Sequence, residues 1–128
     1  MLAIENHGML VGDASEIVRV VDRVASPWVG ANLDTGNFAS DPYKNISALA
    51  PRAMNCHLKM DVRKGKQREA ADLPRKFRLL QESGYAGRVV LQYELPGDPM
   101  KEVPKCLAQM HASATRVSLD TLPRKTIQ

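Results

Sequence analysis

Four short apolar runs, beginning near Leu2, Trp28, Ala53 and Arg88, alternate along the chain with four segments of helical periodicity. A helix between two strands carries the chain back to the end where the first strand began, so the next strand joins the sheet in parallel. The alternation therefore predicts four βα units. The first run covers residues 2–5. A glycine-punctuated loop leads to Asp13, which with Glu16 three residues later forms a capping-box-like pair, and Ile17, Val18, Val21 and Val24 make one apolar stripe on the helix that follows. The second run, residues 28–34, passes to Asp41-Pro42, an N-cap and first helical position, and to a short helix ending near Ala50. The third, residues 53–60, leads through a charged stretch (61–69) to a helix near 72–83 with Leu73, Phe77 and Leu80 inward and Gly84 as terminator. The fourth, residues 88–94, leads through Asp98-Pro99 to a helix bearing Val103, Cys106, Leu107 and Met110, which Pro104 is expected to kink. From about Thr115 the chain is polar and aperiodic, so residues 115–128 read as a loose tail.

Side chains alternate faces along a strand, so residues two apart share a side. One parity class holds Leu2, Ile4, Val29, Ala31, Leu33, Met54, Cys56, Leu58, Val89, Leu91 and Tyr93, which suits packing under helices. The other begins with small residues and ends with polar ones: Glu5 in the first run, Asn32 and Asp34 in the second, Asn55, His57 and Lys59 in the third, Gln92 and Glu94 in the fourth. Each strand thus delivers polar groups to one face at its C-terminal end, where parallel α/β folds place their chemistry. Unpaired carboxylates are expensive in such an interior, and a divalent cation relieves the cost. Two carboxylates and an imidazole, Glu5, Asp34 and His57, suit Mn²⁺, Co²⁺, Zn²⁺ or Mg²⁺ with positions left open. Singly, a capping Glu5, a turn-forming Asp34 and a hydrogen-bonded core His57 would explain the same residues.

Composition narrows the alternatives. The 128 residues suffice for one hydrophobic core, and with 44% apolar and 25% charged residues the chain reads as globular, without an apolar run long enough to span a bilayer. A net charge of +4, scattered over helix faces, is too small for a nucleic-acid footprint. Cys56 and Cys106 lie in apolar segments without metal-type spacing, which points to a reducing compartment, and the first residues lack the basic and apolar regions of a secretory signal. A cytoplasmic location is the expectation.

The segments AIENHG, NLDTGNF, NCHLKMDV and GYAGRVVLQYELPGDP resemble the last four strands of the sugar phosphate isomerase/epimerase family, within the xylose isomerase-like TIM-barrel superfamily. The similarity runs over about residues 1–113 in the right order. It implies an α/β fold in which the four units are strands five to eight of a (β/α)8 TIM barrel, with residues 1–114 as the C-terminal half. It also implies a divalent metal held by Glu5, Asp34, His57 and position 92, and a small-molecule sugar or sugar phosphate as substrate. Relatives have glutamate at that last position. Gln92 offers a neutral amide oxygen but cannot take up and return a proton at neutral pH. Proton transfer next to a carbonyl, which the family performs with two glutamates, would then rest on Glu5. Glu94 shares the parity of Gln92 but lies about 7 Å further along the strand.

Further residues follow less directly. Asn6 and His7 come after the first ligand in a loop placed to touch substrate hydroxyls, Asn37 occupies a polar position of the family, and Lys59 is placed to hold a substrate phosphate or carboxylate. His111 reads as exposed, and Trp28 as a packing residue at a strand start. A complete barrel needs eight strands and about 250 residues. Four strands would leave two sheet edges open, so a missing N-terminal half or a homo-oligomer is expected. Two other functions compete with the isomerase or epimerase: a catalytically silent half-barrel, favoured by Gln92, and an endonuclease IV-like phosphoesterase, disfavoured by only three histidines.

Overall fold

The computed structural model describes residues 1–8 and 10–120. Four parallel strands form one sheet in the order β1 (Leu2–Glu5), β2 (Val29–Asp34), β3 (Ala53–Leu58) and β6 (Val89–Leu91). Helices α1 (Ala14–Val24), α2 (Pro42–Leu49) and α3 (Leu73–Glu82) provide the crossovers, α4 (Pro99–Asp120) follows the last strand, and a 3-10 turn at Ala50–Arg52 leads into β3. This is the expected partial TIM barrel, with strand order following chain order. Between β3 and α3 the chain adds an antiparallel hairpin of β4 (Asp61–Lys64) and β5 (Gln67–Ala70). In sequence this is only a charged stretch, because beside Arg63, Lys64, Arg68 and Glu69 the one large apolar residue is Val62, which is buried.

The core lies on the helix-covered side of the sheet. Ala31, Leu33 and Cys56 from the strands meet Ile17 of α1, Ile46 and Leu49 of α2, Leu80 of α3 and the loop residue Phe38, with Ile4 and Val89 packed against them. Full burial of each large side chain contributes about 1.5–3 kcal/mol, which fixes these helices on one face. Glu5, Asn32, Asn55 and His57 belong to the opposite parity, as the alternation predicts. One irregularity, between Ala31 and Asn32, inserts Met54 into β3, after which Asn32 faces Asn55 and Asp34 faces His57. Met54 fills the space beside Gly30, where an added Cβ would come within 2.3 Å of its side chain.

Helix boundaries follow local chemistry, with exceptions. Asp72 caps α3 by accepting from the Arg75 N–H, and Gly84, at φ 76°, ends it. Asp13 is the N-cap residue of α1 but makes no capping hydrogen bond; the first N–H of that helix goes to Asn45 Oδ1 of α2, and Glu16 pairs with Arg19. Asp41 precedes α2 in a left-handed conformation, also without a side-chain cap. Val24, placed on the α1 stripe, and Leu107, placed inward on α4, are half exposed, and on α3 the residue wholly buried beside Leu73 and Leu80 is Lys76, with Phe77 only partly covered. Trp28 stands before β2 as expected but is 66% exposed, so it is not buried as a packing residue would be. The chain does not loosen at Thr115: α4 continues past Pro104 as far as Asp120, and Val117 is buried. The rest of the expected tail lies outside the described residues.

Candidate metal and substrate site

Glu5 ends β1, Asp34 ends β2 and His57 is the next-to-last residue of β3. Parallel pairing sets Glu5 beside Asn32 and Asp34 beside His57, so the three groups emerge at the same end of the sheet. One candidate ligand atom from each lies within 4.8 Å of the others. The Glu5 carboxylate and the His57 ring are each about one-third exposed at 34% and 28%, with 3.9 Å between Oε1 and Nδ1, whereas Asp34 is wholly buried. Burial raises the Asp34 pKa, and the Glu5 charge adds to this; the Gly36 N–H and the Lys59 ammonium work against it.

Asp34 is held from two directions. The side chain of Asn6 donates to its carbonyl at 2.8 Å and accepts from its N–H at 2.8 Å, which copies a strand pairing where β1 has ended. Its own Oδ1 accepts from the Gly36 N–H at 2.8 Å. Oδ2 is left buried without a hydrogen bond. Asn6 is itself wholly buried, so it does not reach out to substrate hydroxyls as its loop position predicts. His57 is flanked in turn by Asn32, whose amide nitrogen lies 3.3 Å from Nδ1, and Asn32 Oδ1 accepts from Asn55.

Gln92, past the end of β6, is anchored by its N–H on the Leu58 carbonyl. Its Nε2 donates to Glu94 Oε1 at 2.9 Å, and its Oε1 is a second buried oxygen without a partner. Glu94 Oε2 accepts from Lys59 Nζ at 2.7 Å; the same ammonium donates to Asn37 Oδ1 at 2.7 Å and stands 3.4 Å from Asp34 Oδ2. Lys59 therefore spends its donors within the site, and only 3% of its side chain is exposed. Its stem passes Gly36 so closely that a Cβ there would sit 2.7–2.8 Å from it, which no side chain larger than hydrogen permits. His7 and Asn37 both line an open cleft of about 730 Å³ next to Asp13, Glu16 and Arg63. Arg63 comes from the unforeseen hairpin.

A second buried lysine supports the strand ends. Lys76 of α3 donates to Thr35 Oγ1 at 3.0 Å, to the Lys59 carbonyl at 2.7 Å and to the Asp61 carbonyl at 3.2 Å. Thr35 Oγ1 also accepts from the Lys59 N–H. Burial lowers the Lys76 pKa to about 8, against the pull of Asp61 and Asp34. Arg68 of β5 forms a bidentate pair with Asp61 and reaches the Gly36 carbonyl, tying the hairpin to the loop that carries Asp34. Arg68 carries no periodicity signal, and the one clue to Lys76 is its helical spacing of three and four residues from Leu73 and Leu80.

Comparisons with known proteins agree with the fold. A family model described as Xylose isomerase-like TIM barrel matches residues 1–110. Among solved structures, the xylose isomerase domain protein from Planctomyces limnophilus is similar at TM-score 0.70 and 17% identity, over 91% of this chain and 47% of that one. A structure of L-ribulose 3-epimerase is similar at TM-score 0.64 and 15% identity, over 98% of this chain and 51% of that one. The chain thus spans about half the length of these barrels. No curated protein matches. The strand order, the polar strand ends and a family match over most of the length together place the chain in the xylose isomerase-like TIM barrel family.

Proposed function

We propose that this chain is the metal-binding half of a sugar isomerase or epimerase, acting by proton transfer next to a carbonyl. The observation that carries the reading is the convergence of Glu5, Asp34 and His57, each with one ligand atom within 4.8 Å of the others, where Asp34 also has a buried carboxylate oxygen, Oδ2, with no hydrogen bond. That oxygen has the Lys59 ammonium 3.4 Å away but accepts no hydrogen bond, so it keeps coordinating capacity for a cation, and two carboxylates with one imidazole are a fitting donor set for Mn²⁺, Co²⁺, Mg²⁺ or Zn²⁺. Gln92 Oε1, the second orphaned oxygen, is a neutral donor for the same ion. When bound, such an ion polarises the oxygens of a sugar carbonyl and its neighbouring hydroxyl.

The residues of the chain divide the remaining work. Asp34 is immobilised by Asn6 and Gly36 and serves as a fixed anion. Glu5 is partly open to the outside and is the carboxylate that can take a proton from carbon and return it. His7 and Asn37, on the adjoining cleft, offer hydrogen bonds to substrate hydroxyls. A catalytically silent half-barrel is the second reading, favoured by Gln92, since the amide supplies no second acid or base.

Calorimetric titration with Mn²⁺ tests the reading. We expect measurable binding that His57→Ala lowers by tenfold or more, an order-of-magnitude figure for the loss of one ligand, and that Gln92→Glu tightens by restoring an anionic oxygen. Equal affinity in all three proteins would remove the metal from the function.

A further inference from the structure

The site contains a cation of its own, at the carboxylate oxygen that a metal would use. Lys59 Nζ stands 3.4 Å from Asp34 Oδ2, in an orientation that forms no hydrogen bond, while its two short bonds go to Asn37 and Glu94. The hydrogen bonds that orient Asp34 come from other residues: Asn6 fixes the main chain of Asp34, and the Gly36 N–H fixes Oδ1 and with it the direction of Oδ2. Nor can the ammonium easily leave. Its stem is pressed against Gly36, the Lys59 N–H is bonded to Thr35, and the Lys59 carbonyl accepts from Lys76. Glu94 is the anion that draws the ammonium off Asp34, and it is half exposed, anchored by Gln92 through its other oxygen.

We propose that Lys59 is an internal counter-cation that competes with a divalent metal for Asp34, and that Glu94 sets the strength of the competition by holding the ammonium to one side. The inference rests on the metal reading above. It assigns Lys59 to tuning the metal affinity of the site, not to gripping the substrate. It also accounts for an Asp34 that stays buried with one oxygen unbonded: the neighbouring positive charge offsets its desolvation without occupying it.

Opposite signs for two substitutions distinguish this from a merely structural role, in which loss of either residue would weaken the site. Mn²⁺ titration of the full chain should show that Lys59→Met binds roughly tenfold tighter than wild type, because a unit positive charge a few ångströms from the ion has been removed. Glu94→Gln should bind several-fold more weakly, because the ammonium is released towards Asp34. In the double variant the Glu94→Gln change should lose most of its effect, which separates competition from the simple removal of a nearby negative charge. Equal or weaker binding by Lys59→Met, or the same loss from Glu94→Gln with and without Lys59, overturns the inference while leaving the metal site in place. Should Lys59→Met fail to fold, the half-exposed Glu94→Gln still decides: affinity equal to or above wild type overturns it. If no variant and no wild-type protein binds Mn²⁺, the metal reading falls and this inference with it.

Discussion

Lys76 shows how much of this site is decided by a residue set behind the strand ends. Its ammonium is wholly buried and holds the Thr35 hydroxyl and the carbonyls of Lys59 and Asp61, the atoms that fix where β2 and β3 end. Burial lowers its pKa from 10.5 to about 8. The unfolded chain therefore keeps a proton between pH 8 and 10.5 that the folded chain has given up, and stability contributed by this group rises with pH across that window. Below pH 8 both states are protonated and the contribution is flat. We expect the difference in unfolding free energy between wild type and Lys76→Met, from urea titrations, to move in favour of wild type between pH 7.5 and 10, by on the order of 2–3 kcal/mol at most. Taking the difference cancels the lysines and tyrosines common to both proteins. A difference that is unchanged, or that moves the other way, would mean that Lys76 is not desolvated in solution.

At the scale of elements, what the sequence reveals depends on whether an element has an apolar face. The four strands and the first three helices were legible because Ile4, Ala31, Leu33, Cys56 and Val89 alternate towards one side and because Ile17, Val21 and Leu80 recur at helical spacing. The same alternation exposed Glu5, Asp34 and His57 as a group, since a two-residue period that is obeyed on one face constrains the other. The β4–β5 hairpin was invisible because it buries a single large apolar side chain, Val62, and is otherwise held by the pairing of Asp61 with Arg68 and by strand pairing, which leave no periodic mark. Asn6 was misread for a related reason: a buried asparagine that bonds the main chain of Asp34 looks, in sequence, like any polar loop residue. The end of α4 was missed because, of residues 115–118, Val117 at 3% exposed is the one buried apolar side chain, too little to make a periodic stripe. That side chain supplies a check. Val117→Ala removes two buried methyl groups and should cost about 1–2 kcal/mol in a denaturant titration. An unaltered midpoint would return residues from Thr115 onward to the status of a loose tail.

For the molecule as a whole, the sheet order leaves β1 paired only with β2, and β6 only with β3, among the described residues. Each outer strand carries a row of unpaired N–H and C=O groups, and each exposes apolar side chains, Leu2 at 62% and Val90 at 45%. Open edges of this kind invite pairing with another chain. A closed barrel has eight strands, and this chain covers 47% and 51% of two solved barrels. Four further βα units would complete it, and so would a second copy: a two-fold pair would set β6 of each protomer beside β1 of its partner and close eight parallel strands. Sedimentation should therefore give a mass above that of one chain at micromolar concentration, or a one-to-one complex when a separate four-stranded half is supplied. Val90 has the parity of His57 and stands on the β6 edge, so Val90→Lys should suppress the association by burying an unpaired charge where the strands must meet. A wild-type chain that remains a dispersed, cooperatively unfolding monomer under these conditions would show that half a barrel can satisfy its own edges, and the site at its strand ends would then be open to solvent on the side where a barrel encloses it.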